Sequence, residues 1–211
     1  MTNPSGDHVV AAATLVTTAV AGIAPERRQR QLPGSTWTAR RTVDHIADAL
    51  VLYGRYVGTR ATGRVEPLRD GRPAASFAAL CDDVVDAASV LARLIDGMGD
   101  GELAHHPAGA ADASGWAAMA CDEIMVHGHD VCEVAEVDLQ LPPDLIEAVL
   151  ARLFPWAPPP TAGTPLERLL WCNGRTALPG HPRQDELWYW WSRPLDTWNG
   201  VPHRRQAPPA W

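Results

Sequence analysis

The chain has 211 residues, enough to bury one substantial core, so one main domain with a small appendage is the expected division. Eighteen basic against 25 acidic side chains give a net charge of -7, and no helical run of Lys or Arg can track phosphates, which argues against nucleic acid as a partner. The apolar stretches are alanine-rich and broken by polar residues short of the roughly 20 needed to span a bilayer. MTNPSGDHVV has no basic flank before an apolar region, so a soluble, cytoplasmic protein with no membrane partner is expected.

Apolar side chains recur around Val9, Val16, Val20 and Ile23, which predicts a first helix over 7–24 that ends before the charged run 26–30 and the turn at Pro33 and Gly34. Ser35 or Thr36 can cap a second helix, whose Val43, Ile46, Leu50, Tyr53 and Val57 follow the spacing of a buried stripe. It stops near the loop 58–64. A third helix over 74–97 turns Phe77, Leu80, Val84, Leu91 and Leu94 inward. After a loop at 102–113, a fourth is capped at Ser114 and runs to about Val137. These elements predict a mainly all-α fold, a four-helix bundle over 1–155.

Residues 156–211 read as a small α/β or irregular, Trp-rich extension. Before it, Asp144 and Glu147 can cap the short helix LIEAVLARLF, and the proline-rich 155–160 breaks the chain. Thr164 to Glu167 make a capping box with proline at the first helical position, and Gly174 is the matching stop. LWYWW has the aromatic content of a strand. Five of the nine tryptophans fall between 188 and 211, where they either wall the mouth of the bundle or pack on its outside or in a dimer contact. The four cysteines have no close pair, which fits reduced, buried thiols.

The chemistry concentrates in DEIMVHGHDVCEV, residues 122–134. At 100° per residue Glu123 and His127 lie one turn apart on the stripe the bundle must bury. A buried carboxylate costs several kcal/mol unless paired, hydrogen-bonded or metal-bound. His129 is about 200° away from His127 around the helix, so the two histidines cannot share an ion unless the helix breaks at Gly128. An open divalent site usually has three protein ligands, and His45 in TVDHIADAL can supply the third from the second helix. Two nitrogens and one oxygen suit zinc, nickel, iron or manganese. On spacing alone, a buried histidine is more often hydrogen-bonded than metal-bound, so that reading stands ahead of a shared ion. Asp44 and Asp48 read as solvated helix-face charges, and His105 and His106 as surface residues. Asp130 can orient a ligand, serve as acid or base, or bond to a helix end.

WTARRTVDHIADAL resembles the second-helix pattern of the mycothiol-dependent maleylpyruvate isomerase N-terminal domain family, within the DinB-like superfamily, where a tryptophan precedes a helix carrying a histidine ligand. DEIMVHGHDVCEVAEVDLQLPPDLIEAVLARLF is similar to that family's fourth helix, with an acid four residues before a histidine, then Gly, an aromatic and Asp. The resemblance covers about residues 7–155. LLWCNGRTALPGHPR looks more loosely like the tail of short actinobacterial members. It implies a DinB-like bundle with His45, Glu123 and His127 as metal ligands, zinc foremost, and Asp130 as a functional neighbour. The chain departs from the pattern at His129, where relatives usually carry an aromatic, so an added acid/base group or a different substrate is implied there.

The family's activities imply an open metal that activates the thiol of mycothiol toward a small-molecule substrate, as an isomerase or thiol transferase, in a monomer or homodimer. Arg175 or Arg183 is the candidate cation for the substrate's developing charge. Two other readings stand beside it. One is a thiol-independent isomerase, cyclase or hydrolase of specialised metabolism in which metal and His129 act directly; the other is a non-catalytic small-molecule binder.

Overall fold

A computed structural model describes residues 3–207, so Trp211 lies outside the described residues. Four long helices form where the apolar spacing predicts them: α1 (Gly6–Ala21), α2 (Ala39–Gly58), α3 (Phe77–Asp96) and α4 (Ala113–Ala135). Each hides its stripe beside two others, with α1 and α2 both seated between α3 and α4. Val16, Leu50, Leu80, Trp116 and Val131 are among the side chains this arrangement removes from water. Among the described residues there is no β-sheet, so the fold is mainly α, and no helix is long and apolar enough to cross a membrane.

The caps refine the expected boundaries. Thr38, rather than Ser35 or Thr36, starts α2 by accepting from the Arg41 N–H at 3.2 Å. Asp112 replaces Ser114 as the cap of α4. Its carboxylate takes the Gly115 N–H at 2.7 Å together with the Ser114 hydroxyl and Arg152, and a charged acceptor holds these donors better than a neutral hydroxyl. The charged run after α1 closes the other end of α4. Arg27 and Arg30 each donate to one of its last carbonyls, Ala135 and Val134, at 2.8 Å, where cations complement the helix dipole.

Helix α4 runs unbroken through Gly128, which keeps His127 and His129 on different faces. The glycine is there for close approach. A Cβ on it would stand 2.6 Å from both methyl groups of Val16 on α1. Such overpacking costs about 1–3 kcal/mol. Alanine regains only roughly 0.8–1 kcal/mol over glycine in a helix. Gly128→Ala is therefore expected to lower the denaturant midpoint, and Val16→Ala in the same chain to restore part of the loss. An unchanged midpoint would show that α1 and α4 part freely.

Asp44 and Asp48 are not solvated. The loop after α2 returns over that helix and brings Arg69 onto both carboxylates, with its Nη2 2.6 Å from Asp44 Oδ1 and 3.0 Å from Asp83 Oδ2 on α3. The Arg72 N–H adds a 2.6 Å bond to Asp44, and Arg41 pairs with Asp48 at 3.0 Å. Asp44 is thus 2% exposed, and its charge is compensated by a loop lying more than twenty residues further along the chain.

Beyond the bundle, α5 (Pro143–Leu153) packs on α4 and α6 (Pro165–Cys172) packs on α5. Neither Asp144 nor Glu147 caps α5; Glu147 instead pairs with Arg168 of α6 at 2.5 Å. The Thr164–Glu167 capping box forms as expected. LWYWW does not form a strand. Its one bridge joins Trp188 to Arg204, and its rings serve burial in place of a ladder. Arg152, 2% exposed, fastens this segment to the bundle by donating to the Trp191 and Ser192 carbonyls at 3.1 Å while it holds Asp112 at 2.8 Å.

Candidate functional site

Helix α4 presents Glu123 and His127 one turn apart, and α2 brings His45 to meet them. The three residues each offer a ligand atom within 4.8 Å of the other two. The imidazoles of His45 and His127 stand perpendicular with centroids 5.1 Å apart. His127 Nε2 is 3.2 Å from Glu123 Oε2. Two donors bound tetrahedrally to one ion at 2.0–2.1 Å stand about 3.3 Å apart, so this pair has the separation a shared zinc-sized ion requires.

Each ligand candidate is held from behind. The Tyr53 hydroxyl donates to Glu123 Oε1 at 3.1 Å, leaving Oε2 to face His127. His127 Nδ1 is buried without a hydrogen-bond partner and faces Asp130 Oδ2 at 3.5 Å, where the carboxylate acts as a charge rather than a full acceptor. Trp37 lies against the His45 ring at 4.4 Å, with the Arg41 guanidinium 5.1 Å from the indole ring. Because metal-ligating histidines usually offer their second ring nitrogen to a carboxylate, the His127–Asp130 pair suits a site in which Nε2 is the ligand.

The electrostatics agree. Burial, followed by the repulsion of His127, brings the His45 pKa down to about 4, so its imidazole is neutral and able to ligate. Burial would also discharge His127, but Asp130 and Glu123 on either side outweigh it and lift the pKa to about 9. Burial opposes ionisation of Glu123, yet the His127 hydrogen bond and charge bring it to about 2. Without an ion, a proton on His127 ties the two carboxylates together. A divalent cation would take that proton's place.

No family model, curated protein or solved structure matches this chain.

Arg175 comes to the site from the segment after α6. Gly174, with φ at 65°, closes α6 so that the Arg175 N–H bonds to the Leu170 carbonyl at 2.8 Å. The Arg175 guanidinium then pairs with Asp130 at 2.9 Å and donates to the Asn173 carbonyl at 3.0 Å. Burial first opposes ionisation of Asp130, but His127 and Arg175 bring its pKa down to about 2. Arg175 is thus paired with Asp130 while part of its side chain remains exposed. Arg183 is spent on the Gly174 carbonyl, 2.6 Å from its Nε, and braces the same turn. His129 is not among the converging ligand atoms; it is half-buried, with Nδ1 buried and unpartnered.

Three features of the site were not read from spacing. His106 is 6% exposed rather than on the surface, and His105 is half-buried. The His106 ring lies 5.7 Å from Tyr53, 5.6 Å from Trp190 and 6.3 Å from Tyr189, so the extension closes over it on the Tyr53 side of the bundle. Burial holds its pKa down at about 3. Asp122, next to Glu123 but on another face, accepts from Asn173 Nδ2 and Trp190 Nε1, both at 2.9 Å. Burial pushes its carboxyl up to about 7. The third is Tyr53, whose phenol is kept protonated first by burial and then by the charge of Glu123, so it remains a donor. A tyrosine in the apolar stripe of α2 was the available signal, because a buried hydroxyl needs a partner.

Proposed function

We propose that the protein is a divalent-metal-dependent enzyme, with zinc the favoured ion, that uses a low-molecular-weight thiol of the mycothiol type as an isomerase or thiol transferase. The observation that carries the metal reading is the convergence of His45, Glu123 and His127 from two helices, with Tyr53 and Asp130 behind the ligand atoms. The thiol part rests on the resemblance of the α2 and α4 segments to the maleylpyruvate isomerase family.

His45 Nε2 or Nδ1, Glu123 Oε2 and His127 Nε2 would hold the ion, three protein ligands being the usual number at a catalytic site that keeps a position open. When bound, the ion supplies Lewis acidity that lowers the pKa of a thiol to near neutrality. With the ion held, His127 Nε2 would carry no proton and its Nδ1–H would face Asp130, which Arg175 keeps ionised. As an isomerase, the bound thiol would supply a nucleophile that adds reversibly to an activated cis double bond, so that rotation and its release would leave the trans isomer. As a transferase, the same nucleophile would displace a leaving group and stay attached. The extension, through Tyr189 and Trp190, packs around His106, which lies beside Tyr53.

Cobalt-substituted protein titrated with mycothiol tests the reading. Direct thiolate ligation is expected to give a sulfur-to-cobalt charge-transfer band in the near ultraviolet and a rise in melting temperature. No response at millimolar thiol would overturn the thiol chemistry while leaving the metal site to be judged by metal content.

A further inference from the structure

We infer that Tyr53 is a positioning residue that restricts Glu123 to a single ligating oxygen and so keeps a coordination position open for the reaction. The inference deepens the metal reading above and rests on it. Tyr53 sits two turns beyond His45 on α2, so one helix supplies both a ligand and the group that steers another. Its ring cannot swing. It is 5% exposed and wedged edge-on between Trp116 at 5.3 Å and His106 at 5.7 Å.

The hydroxyl therefore points at one place, Glu123 Oε1, 3.1 Å away. That bond divides the carboxylate. Oε1 is engaged by the phenol, and Oε2 stands 3.2 Å from His127 Nε2 in the ligand set. A free carboxylate can bind a cation through either one oxygen or both. If Glu123 used both, the protein would fill four positions, the number at which structural zinc sites close. With Oε1 held by Tyr53, the count from protein stays at three. Asp130 and Arg175 perform the matching service for His127 from the opposite side, but they do not touch Glu123.

Tyr53→Phe tests the idea, because it keeps the wedged ring and removes only the hydroxyl. Removing an outer partner of a metal ligand typically costs 10–100-fold in metal affinity, and a loss in that range is expected from a competitive cobalt titration. The cobalt visible bands are also expected to weaken, since a second carboxylate oxygen raises the coordination number. A purely structural role for the hydroxyl would lower stability without altering those bands. Wild-type affinity and an unchanged spectrum in Tyr53→Phe would overturn the inference.

A second measurement needs no variant. In zinc-loaded wild-type protein, the infrared separation between the two carboxylate stretches of Glu123 should be wide, as for one-oxygen binding. A narrow separation would overturn the inference even if Tyr53→Phe failed to fold. If the wild type takes up neither cobalt nor zinc, it is the metal reading that fails, and the two failures are thereby told apart.

Discussion

Protein carrying His45→Ala is expected to emerge from chelator-free purification with almost no bound metal, whereas the wild type should carry close to one divalent ion per chain. His45 is the only one of the three converging ligand candidates that does not come from α4. Without it, Glu123 and His127 form a two-ligand fragment on one helix. Zinc sites with four protein ligands bind with about 10–16 kcal/mol, or about 2.5–4 kcal/mol per ligand, so losing one of three should weaken binding roughly a hundred- to a thousandfold. The metal-free protein gives the control. Its imidazole is neutral when no ion is present and accepts no charge from a neighbour, so the substitution removes packing against Trp37 but no ion pair. Melting curves of the two metal-free proteins should lie close together, while only the wild type rises on adding zinc. Substoichiometric metal in the wild type, unchanged by His45→Ala, would sink the site.

Much of this arrangement was legible because it depends on helical period. The stripes of α1 to α4 are long and regular, and Glu123 and His127 at i and i+4 needed only an unbroken helix to come together. Gly128 stands inside that unbroken helix because α1 packs closely against it, not because the helix ends there. What period cannot show is which distant segment covers a side chain. Asp44 looked solvated until Arg69 returned over α2, and His106 looked exposed until Tyr189 and Trp190, more than eighty residues later, closed on it. LWYWW reads as a strand by composition, yet a strand needs a partner. The segment finds one bridge and otherwise spends its rings on the core, with the Trp190 N–H on Asp122. Arg175 shows the same limit in the other direction. A cation near the ligand candidates invites a role toward substrate, and only the folded chain shows that its guanidinium pairs with Asp130. His129 shows it too, because its Nδ1 is buried with no partner in the fold.

Metal affinity should also rise tenfold for each pH unit from about 6 to 8, a hundredfold across that window. The sign follows from the proton that His127 must lose. Flanked by Asp130 and Glu123, the free imidazole holds its proton up to about pH 9, well above the ordinary 6.5. Ligation requires the deprotonated ring nitrogen, so below pH 9 each ion that binds must expel one proton, and the observed constant is the intrinsic one reduced by the fraction still protonated. His45 and Glu123 do not add to this slope near neutrality, because their pKa values of about 4 and about 2 leave them deprotonated already. Calorimetric zinc titrations at pH 7 in buffers of different ionisation enthalpy should therefore count about one proton released per ion. An unperturbed histidine would give a plateau from about pH 7 upward and well under one proton at pH 7.5. Asp130→Asn distinguishes the two cases further. With its charge gone, the His127 pKa should fall, the plateau should begin at lower pH, and fewer protons should leave at neutral pH. If the wild-type constant is flat between pH 7 and 8, the imidazolium proton of His127 is absent from the free protein.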